Sequence, residues 1–271
     1  MENRVAAWDD TRRRTNRIDF PAPELITFPP AVPGSLPLPR PAWWYVDVRN
    51  EDCIVDAAEL AETHSEVGIL NMASATHPGG GVRWGARAQE EELCRRSNLK
   101  KGLDESYAEH YPLHGKVLTH KNVIFFKKGA VANYRSVQRK KQFKATVFTS
   151  PAIKWNYPPS MADGHCEAMR ERVDTLVTAV ERSGVMAVVL GAWGCGAYGL
   201  NPKMMATLFK ERLLTTSIPV VHFAILNDHN GEANYEAFRD VFTCNSLQDK
   251  QRSRPGGQEL PAAKRRTEDP K

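Results

Sequence analysis

The stretch "VGILNMASATHPGGGVRWGARAQEE" occupies residues 67–91 and decides the fold of the chain. It begins with an apolar run, VGILNMAS, which predicts a strand buried on both faces. A proline and three consecutive glycines follow, and they predict a loop that ends the strand. The segment AQEEELCRRSNLKKGL at 88–103 then predicts a polar helix. The stretch is therefore expected to be a strand, a glycine-rich loop and a helix in succession.

The same alternation continues toward the carboxyl end of the chain. Strands are predicted at 43–48, 67–74, 116–129, 143–153, 186–194 and 220–226, and helices at 51–64, 88–103, 166–184, 202–214 and 234–242. Helices that alternate with short apolar strands predict an α/β domain in which helices cover both faces of the sheet. The expected architecture has three layers.

Composition divides the chain into three segments. Residues 1–40 contain a short polar piece with helical character and then a proline-rich run, too broken for long helices or central strands. We expect this segment to be irregular and packed on the domain. Residues 41–244 are expected to form the folded domain. Residues 245–271 are basic and poor in apolar residues, so a disordered tail is expected.

The bulk composition excludes several classes of protein. An apolar content of 41% fits a globular protein, and no apolar run reaches the ~20 residues of a membrane helix. The amino-terminal residues lack the apolar core of a secretory signal. The five cysteines include no CxxC pair, and the eight histidines show no metal-ligand spacing. We expect an intracellular protein, cytoplasmic or nuclear, with reduced thiols and no metal or cofactor.

Positive charge is unevenly distributed along the chain. The stretch KKGAVANYRSVQRKKQFK at 127–144 is rich in lysine and arginine and contains no acid. Such a segment can attract polyanions, which predicts a weak nucleic-acid contact, but a solvated surface is the commoner explanation. The tail carries KRR at 264–266, which hints at nuclear entry and also arises by chance.

A second glycine-rich loop, GAWGCGAYG at 191–199, follows the predicted strand MAVVL. Ligands of α/β sheets collect at the carboxyl ends of strands, where both glycine loops are predicted to lie. Successive backbone N–H groups can form a nest for an anion, so two such loops could hold a diphosphate from two sides. Neither loop has the spacing of a dinucleotide fingerprint or a P-loop. A tight turn without function is the alternative for each.

Two adjacent acids, Glu90 and Glu91, follow the first glycine loop. On a helix they point about 100° apart, so both can border one ligand without facing each other. Partial burial and like charge raise the proton affinity of such a carboxyl, which can then donate a proton to a leaving oxygen. The alternative is that Glu90, Glu91 and Glu92 only favour the helix dipole.

The spacing of these residues resembles a known family. Three glycines (Gly79, Gly80 and Gly81), seven residues and the triplet from Gln89 to Glu91 are similar to the signature of the poly(ADP-ribose) glycohydrolases, in particular their bacterial-type branch. The segment VVLGAWGCGAYG supports the resemblance, which extends over about residues 43–244. It implies a macrodomain, an α/β/α sandwich around a mixed sheet, and a substrate that contains ADP-ribose.

The resemblance also implies roles for individual residues. Glu91 would be the general acid and base, Glu90 would bind ribose hydroxyls, and Gln89 would support the loop. The first loop would let its backbone approach the diphosphate and the distal ribose. In the second loop, Gly194, Cys195, Gly196 and Ala197 would donate N–H groups to the phosphates. Tyr198 stands where the family usually has an aromatic residue over the distal ribose, and its hydroxyl is a mild departure.

Several further residues have two interpretations each. Asn71 either holds ribose or loop backbone, or caps the end of its strand. Asn227 and Asp228 are candidates for the adenosine end of the ligand, whereas Phe238 is expected to lie in the core. Cys195 has no base placed beside it by the sequence, so we expect it not to be a nucleophile.

Three functions are compatible with these features. The leading hypothesis is a monomeric hydrolase that releases ADP-ribose mainly from the ends of poly(ADP-ribose). The second is removal of ADP-ribose from nucleic acid or protein side chains, which the basic segment would suit. The third is a non-catalytic ADP-ribose reader, against which the intact triplet of Gln89, Glu90 and Glu91 argues.

Overall fold

A computed structural model of the chain describes residues 2–16, 18, 21–27, 44–154, 156, 162–227 and 231–243. These residues form a seven-stranded sheet in the order β1-β4-β5-β3-β6-β7-β2. The strands β5, β3, β6, β7 and β2 are parallel, whereas β1 and β4 are antiparallel to their neighbours. The predicted mixed sheet is confirmed. The strands are β1 (Glu24–Thr27), β2 (Tyr45–Arg49), β3 (Val67–Met72), β4 (Lys116–Phe125), β5 (Phe143–Ser150), β6 (Ala187–Leu190) and β7 (Val220–Ala224).

Helices lie on both faces of the sheet. They are α1 (Glu2–Thr15), α2 (Cys53–Leu60), α3 (Gln89–Arg96), α4 (Leu99–Glu105), α5 (Tyr107–His110), α6 (Ala162–Ser183), α7 (Pro202–Leu213) and α8 (Ala233–Thr243). One hydrophobic cluster joins the sheet to α6, α7 and α8, and a second joins it to α1, α2, α3 and α4. Alternate residues of one strand enter opposite clusters: Ile69 faces the second and Leu70 the first. The three-layer prediction is confirmed.

The amino-terminal segment contains more regular structure than the sequence predicts. Residues 2–15 form α1, and β1 pairs with β4 at the edge of the sheet. Trp8 is buried in the second hydrophobic cluster, and the Thr11 hydroxyl donates a hydrogen bond of 2.5 Å to the carbonyl oxygen of Arg95 in α3. The helical character predicted for the first residues is confirmed, and one face of α1 is buried against the domain. Residues 28–43 and the tail from 244 lie outside the described residues.

The polar helix predicted at 88–103 is two helices, α3 and α4. The chain is extended at Ser97, which forms an isolated bridge with Phe125. The Ser97 hydroxyl accepts from the Leu99 N–H at 3.1 Å, and the Asn98 side chain accepts from the Ile124 N–H at 2.7 Å. The Ser97 side chain thus competes with the helical backbone for its partners, whereas Asn98 ties the break to β4. The break fixes α3 against β4 and thereby orients the acids at its start.

Among the described residues, none of the helices has both the length and the apolar character needed to cross a membrane.

Candidate active site

The two glycine-rich loops lie at the same edge of the sheet. They follow β3 and β6, which are adjacent and parallel. The indole N–H of Trp193 donates to the Ser150 carbonyl oxygen at 3.2 Å, and the Ala73 N–H donates to the same oxygen at 3.3 Å. The Tyr198 hydroxyl lies 3.5 Å from the Ala73 carbonyl oxygen. The loops therefore meet over the carboxyl ends of β3 and β5, as the sequence predicts.

The side chain of Gln89 extends the hydrogen bonding of β3. Its amide oxygen accepts from the Met72 N–H at 2.9 Å, and its amide nitrogen donates to the Leu70 carbonyl oxygen at 2.6 Å. One amide thus pairs with the strand as a backbone unit would, and it fixes the start of α3 against the end of β3. The expected supporting role of Gln89 is compatible with this geometry.

Glu90 joins the two ends of the first loop. One carboxylate oxygen accepts from the Gly79 N–H at 2.9 Å and the other from the Ser74 N–H at 2.8 Å. Its side chain is only 3% exposed. Burial raises the pKa of Glu90 to about 8, and the charge of Glu91 adds to the increase, whereas the two N–H groups and Asn71 lower it. Glu90 is therefore a buried clamp whose ionised form is costly.

Glu91 differs from Glu90 in that only one of its oxygens has a partner. Oε1 accepts from the Gly81 N–H at 2.8 Å. Oε2 is buried and has no hydrogen-bond partner among the described residues. An unpaired buried oxygen is costly, and such atoms in a native structure call for an explanation. At this position the unpaired oxygen is explained if it binds a ligand atom or delivers a proton to one.

The first loop does not offer its glycine N–H groups to a ligand. Those of Gly79 and Gly81 donate to the two acids, and that of Gly80 donates to the His77 carbonyl oxygen at 2.9 Å. The three glycine N–H groups of this loop are therefore not free to bind an anion. The glycines are needed for another reason: Gly80 has φ +52°, and a Cβ there would collide with the Glu91 carboxylate.

The second loop retains donors that a phosphate could use. The N–H of Cys195 donates to the Ala192 carbonyl oxygen at 3.0 Å, so the expectation that it binds phosphate is corrected: a tight turn already uses it. The N–H groups of Gly194, Gly196 and Ala197 make no hydrogen bond within the described part of the chain. Three of the four expected donors thus remain available.

Cys195 and Tyr198 border the site from this loop. Burial raises the pKa of the Cys195 thiol to about 12, so the thiolate that a nucleophile requires is disfavoured. The pKa of Tyr198 is raised by burial and by the charges of Glu90 and Glu91. The neutral phenol is therefore the favoured form of Tyr198, whose hydroxyl lies beside the start of the first loop.

Four sequence candidates remain. Asn71 is fully buried, donates to the Thr149 hydroxyl at 3.3 Å, and has an amide oxygen without a partner in the described ranges. Asn227 follows β7 at the same edge of the sheet, and its N–H donates to the Asn50 side chain at 2.9 Å. Asp228 lies outside the described residues. Phe238 is fully buried in the core, as predicted.

Sequence reasoning missed three residues that shape the site. The Ser74 N–H binds Glu90, and its hydroxyl accepts from the His77 N–H at 3.1 Å. The stem of Lys100 packs under Gly79, where a Cβ would approach to 2.5 Å. The fully buried guanidinium of Arg95 binds the loop between the glycines and the acids. The only signal for Arg95 was a cation on a helix expected to be buried on one face.

Metal ligands are not assembled at this edge: in the described ranges no group of three or more His, Cys, Asp or Glu side chains could hold a metal ion.

Comparisons with known proteins agree with this geometry. Residues 11–132 match the family model described as microbial-type PARG, catalytic domain. No curated protein matches the sequence significantly.

Solved structures match nearly the whole chain. The poly(ADP-ribose) glycohydrolase from Thermomonospora curvata is 25% identical, with a TM-score of 0.73, over 89% of this chain and 100% of that one. The structure of that enzyme bound to the inhibitor ADP-HPD is 26% identical with a TM-score of 0.70, over 88% of this chain and 99% of that one. The enzyme from Deinococcus radiodurans, solved with ADP-ribose, is 25% identical with a TM-score of 0.68, over 90% of this chain and 92% of that one. The macrodomain fold implied by the sequence is confirmed.

Proposed function

Because the chain belongs to the microbial-type poly(ADP-ribose) glycohydrolases, we propose that it hydrolyses the ribose–ribose bonds of poly(ADP-ribose) with Glu91 as general acid and base. Release of ADP-ribose from chain ends is the expected mode. The site lies at the carboxyl ends of β3 and β6, where ligands of such sheets bind, and the relatives include enzymes solved with ADP-ribose and ADP-HPD.

One observation supports the role of Glu91 above all others. Its Oε1 is held by the Gly81 N–H, while its Oε2 is buried without a partner among the residues that the structure describes. The first bond fixes the carboxyl group, and the second oxygen is left to exchange a proton with the substrate. Glu90 lacks this freedom, because both of its oxygens already accept backbone N–H groups.

The reaction divides into two proton transfers. In the first, protonated Oε2 of Glu91 gives its proton to the ribose oxygen that leaves the anomeric carbon, and the C–O bond breaks with development of oxocarbenium character. In the second, the carboxylate accepts a proton from the water that attacks this carbon. General acid–base catalysis of this kind contributes ~10²–10⁴-fold. Positioning and charge stabilisation supply the remainder.

The second loop supplies the diphosphate contacts in this proposal. The N–H groups of Gly194, Gly196 and Ala197 would bind the phosphates, and the Tyr198 ring would cover the distal ribose. Asn71 would accept a hydrogen bond from a ribose hydroxyl with its unpaired amide oxygen. Asn227 and Asp228 would contact the adenosine end, since Asn227 lies at the same edge of the sheet.

The finer statements on partners stay predictions. They are a monomeric protein, a cytoplasmic or nuclear location, and a weak nucleic-acid contact through residues 127–144. Many basic residues in that segment are exposed, which also fits an ordinary solvated surface.

The test is the release of free ADP-ribose from poly(ADP-ribose) by wild type and by Glu91→Gln. Glutamine can still accept from the Gly81 N–H, so we expect ADP-ribose affinity within several-fold and a loss of turnover of at least ~10²-fold. Glu62→Gln, at an exposed glutamate, is the matched control and should be fully active. Near-normal turnover by Glu91→Gln would refute the assignment of the acid, and an inert wild type would favour another linkage or a reader.

A further inference from the structure

The first loop presents an aromatic ring that the proposed reaction does not use. Trp84 is 73% exposed, although most of the other described large apolar side chains are buried. Its backbone is well held: the Trp84 N–H donates to the Gly81 carbonyl oxygen at 3.0 Å, and the Gly85 N–H donates to the Val82 carbonyl oxygen at 3.3 Å. An exposed indole on a fixed turn loses little conformational entropy on binding, which is typical of recognition surfaces.

Arginine residues flank this ring in the sequence. Arg83 and Arg87 are both exposed, and residues 82–88 contain no acid. Helix α1 packs against the same turn and ends in exposed Arg12 and Arg13. An aromatic face among guanidinium groups is suited to a polyanion that carries bases, because phosphates meet the cations and a base stacks on the ring.

The surface lies beside the acids. Trp84 and Gly81 are joined by one hydrogen-bonded turn, which places their Cα atoms within about 7 Å of each other. The Gly81 N–H in turn binds Glu91 Oε1 at 2.8 Å. A nucleotide attached to the sugar at Glu91 can therefore reach the indole, whereas the diphosphate donors of the second loop lie after a different strand, β6.

We propose that Trp84, Arg83 and Arg87 bind the polymer unit on the leaving side of the scissile bond, with its adenine on the indole and its diphosphate at the arginines. The inference rests on the proposed function and deepens it. The site would then recognise a polymer end by two units, one bound at the second loop and one on this surface. Removal of a stacking aromatic side chain typically weakens binding about 5- to 150-fold.

Binding is measured in the Glu91→Gln background, where polymer survives. Trp84→Ala should weaken the affinity for poly(ADP-ribose) about 10-fold and leave the affinity for ADP-ribose unchanged, while Trp84→Phe should retain most of the polymer affinity. Tyr107→Ala, which removes an aromatic side chain 52% exposed on α5, is the matched control and should change neither. Equal losses for polymer and ADP-ribose, or no loss for polymer, would overturn the proposal.

Two further arms separate the causes of failure. The wild-type protein is assayed for release of ADP-ribose from the polymer. An inert wild type would defeat the proposed function. An active wild type, together with unchanged polymer binding in Trp84→Ala, would defeat only this inference. An oligoadenylate of matched length is the competitor. We expect weak competition; competition equal to that of the polymer, lost in Trp84→Ala, would instead assign the surface to single-stranded nucleic acid.

Discussion

The buried guanidinium of Arg95 donates a hydrogen bond of 2.5 Å to the carbonyl oxygen of Ala86. It also reaches the Val82 carbonyl oxygen at 3.5 Å and forms an ion pair of 3.0 Å with Glu92. Glu92 in turn accepts from the Tyr134 hydroxyl at 2.6 Å. Arg95 on α3 thereby holds the turn whose Gly81 N–H orients Glu91, so it is a positioning residue that contacts no proposed substrate atom.

We predict that Arg95→Lys lowers kcat about 10-fold or more while KM changes less, because an ammonium group cannot reproduce the planar fork that binds Glu92 through Nη1 and the two carbonyls through Nη2. Arg95→Ala should in addition lower the free energy of unfolding by about 3–5 kcal/mol, since it leaves Glu92 and two carbonyls without their cation. Steady-state kinetics and urea unfolding measure the two effects. Arg182→Ala, at an exposed arginine, is the control, and identical behaviour of the Arg95 and Arg182 variants would contradict the prediction.

Gly80 is a position at which a side chain would collide with the Glu91 carboxylate. Its φ of +52° alone should cost Gly80→Ala about 1–2 kcal/mol of stability. The added Cβ would also displace the Glu91 carboxylate, so we expect turnover to fall by at least ~10²-fold. Gly184→Ala is the matched control, because Gly184 has φ +78° with nothing within 4 Å of its Cβ position. It should lose similar stability and keep full activity. Equal turnover of the two variants would show that the clash does not matter.

Much of the fold could be predicted from the sequence because local periodicity decides it. The runs around Ile69, Val188 and Val221 are apolar on both faces, which indicates a covered sheet. The break between α3 and α4 could not be predicted, since it depends on Asn98 binding the Ile124 N–H, a contact between distant segments. The packing of helix α1 on the domain could not be predicted in detail for the same reason, because Trp8 is buried among residues of other elements.

At the site, residue types were predictable but hydrogen-bond directions were not. Sequence spacing placed the glycines beside Glu90 and Glu91, and it suggested that the backbone N–H groups of the first loop serve a ligand. In the structure they serve the acids themselves. The difference between the two acids could not be predicted either. Sequence spacing treats them alike, whereas in the structure Glu90 binds both ends of the first loop and Glu91 binds only Gly81.

The burial of Glu90 leads to a prediction on stability against pH. Its pKa in the folded protein is about 8, against an ordinary value of 4.5. Between these values the folded state retains a proton that the unfolded state has lost. The stability contributed by this group is therefore present in full below pH ~4.5 and is lost as the pH rises toward about 8, with a slope of up to ~1.4 kcal/mol per pH unit.

Glu90→Gln removes this titration, because glutamine stays neutral at every pH. It should lower stability at pH 5, since its amide NH₂ group must face one of the N–H donors of Ser74 and Gly79. The deficit relative to wild type should then shrink as the pH rises toward 8, because only wild type must ionise a buried carboxyl. Urea unfolding of both proteins, and of Glu62→Gln as an exposed control, at several pH values from 5 to 8.5 measures the difference. A deficit that stays constant over this range would mean that Glu90 titrates alike in the folded and unfolded states.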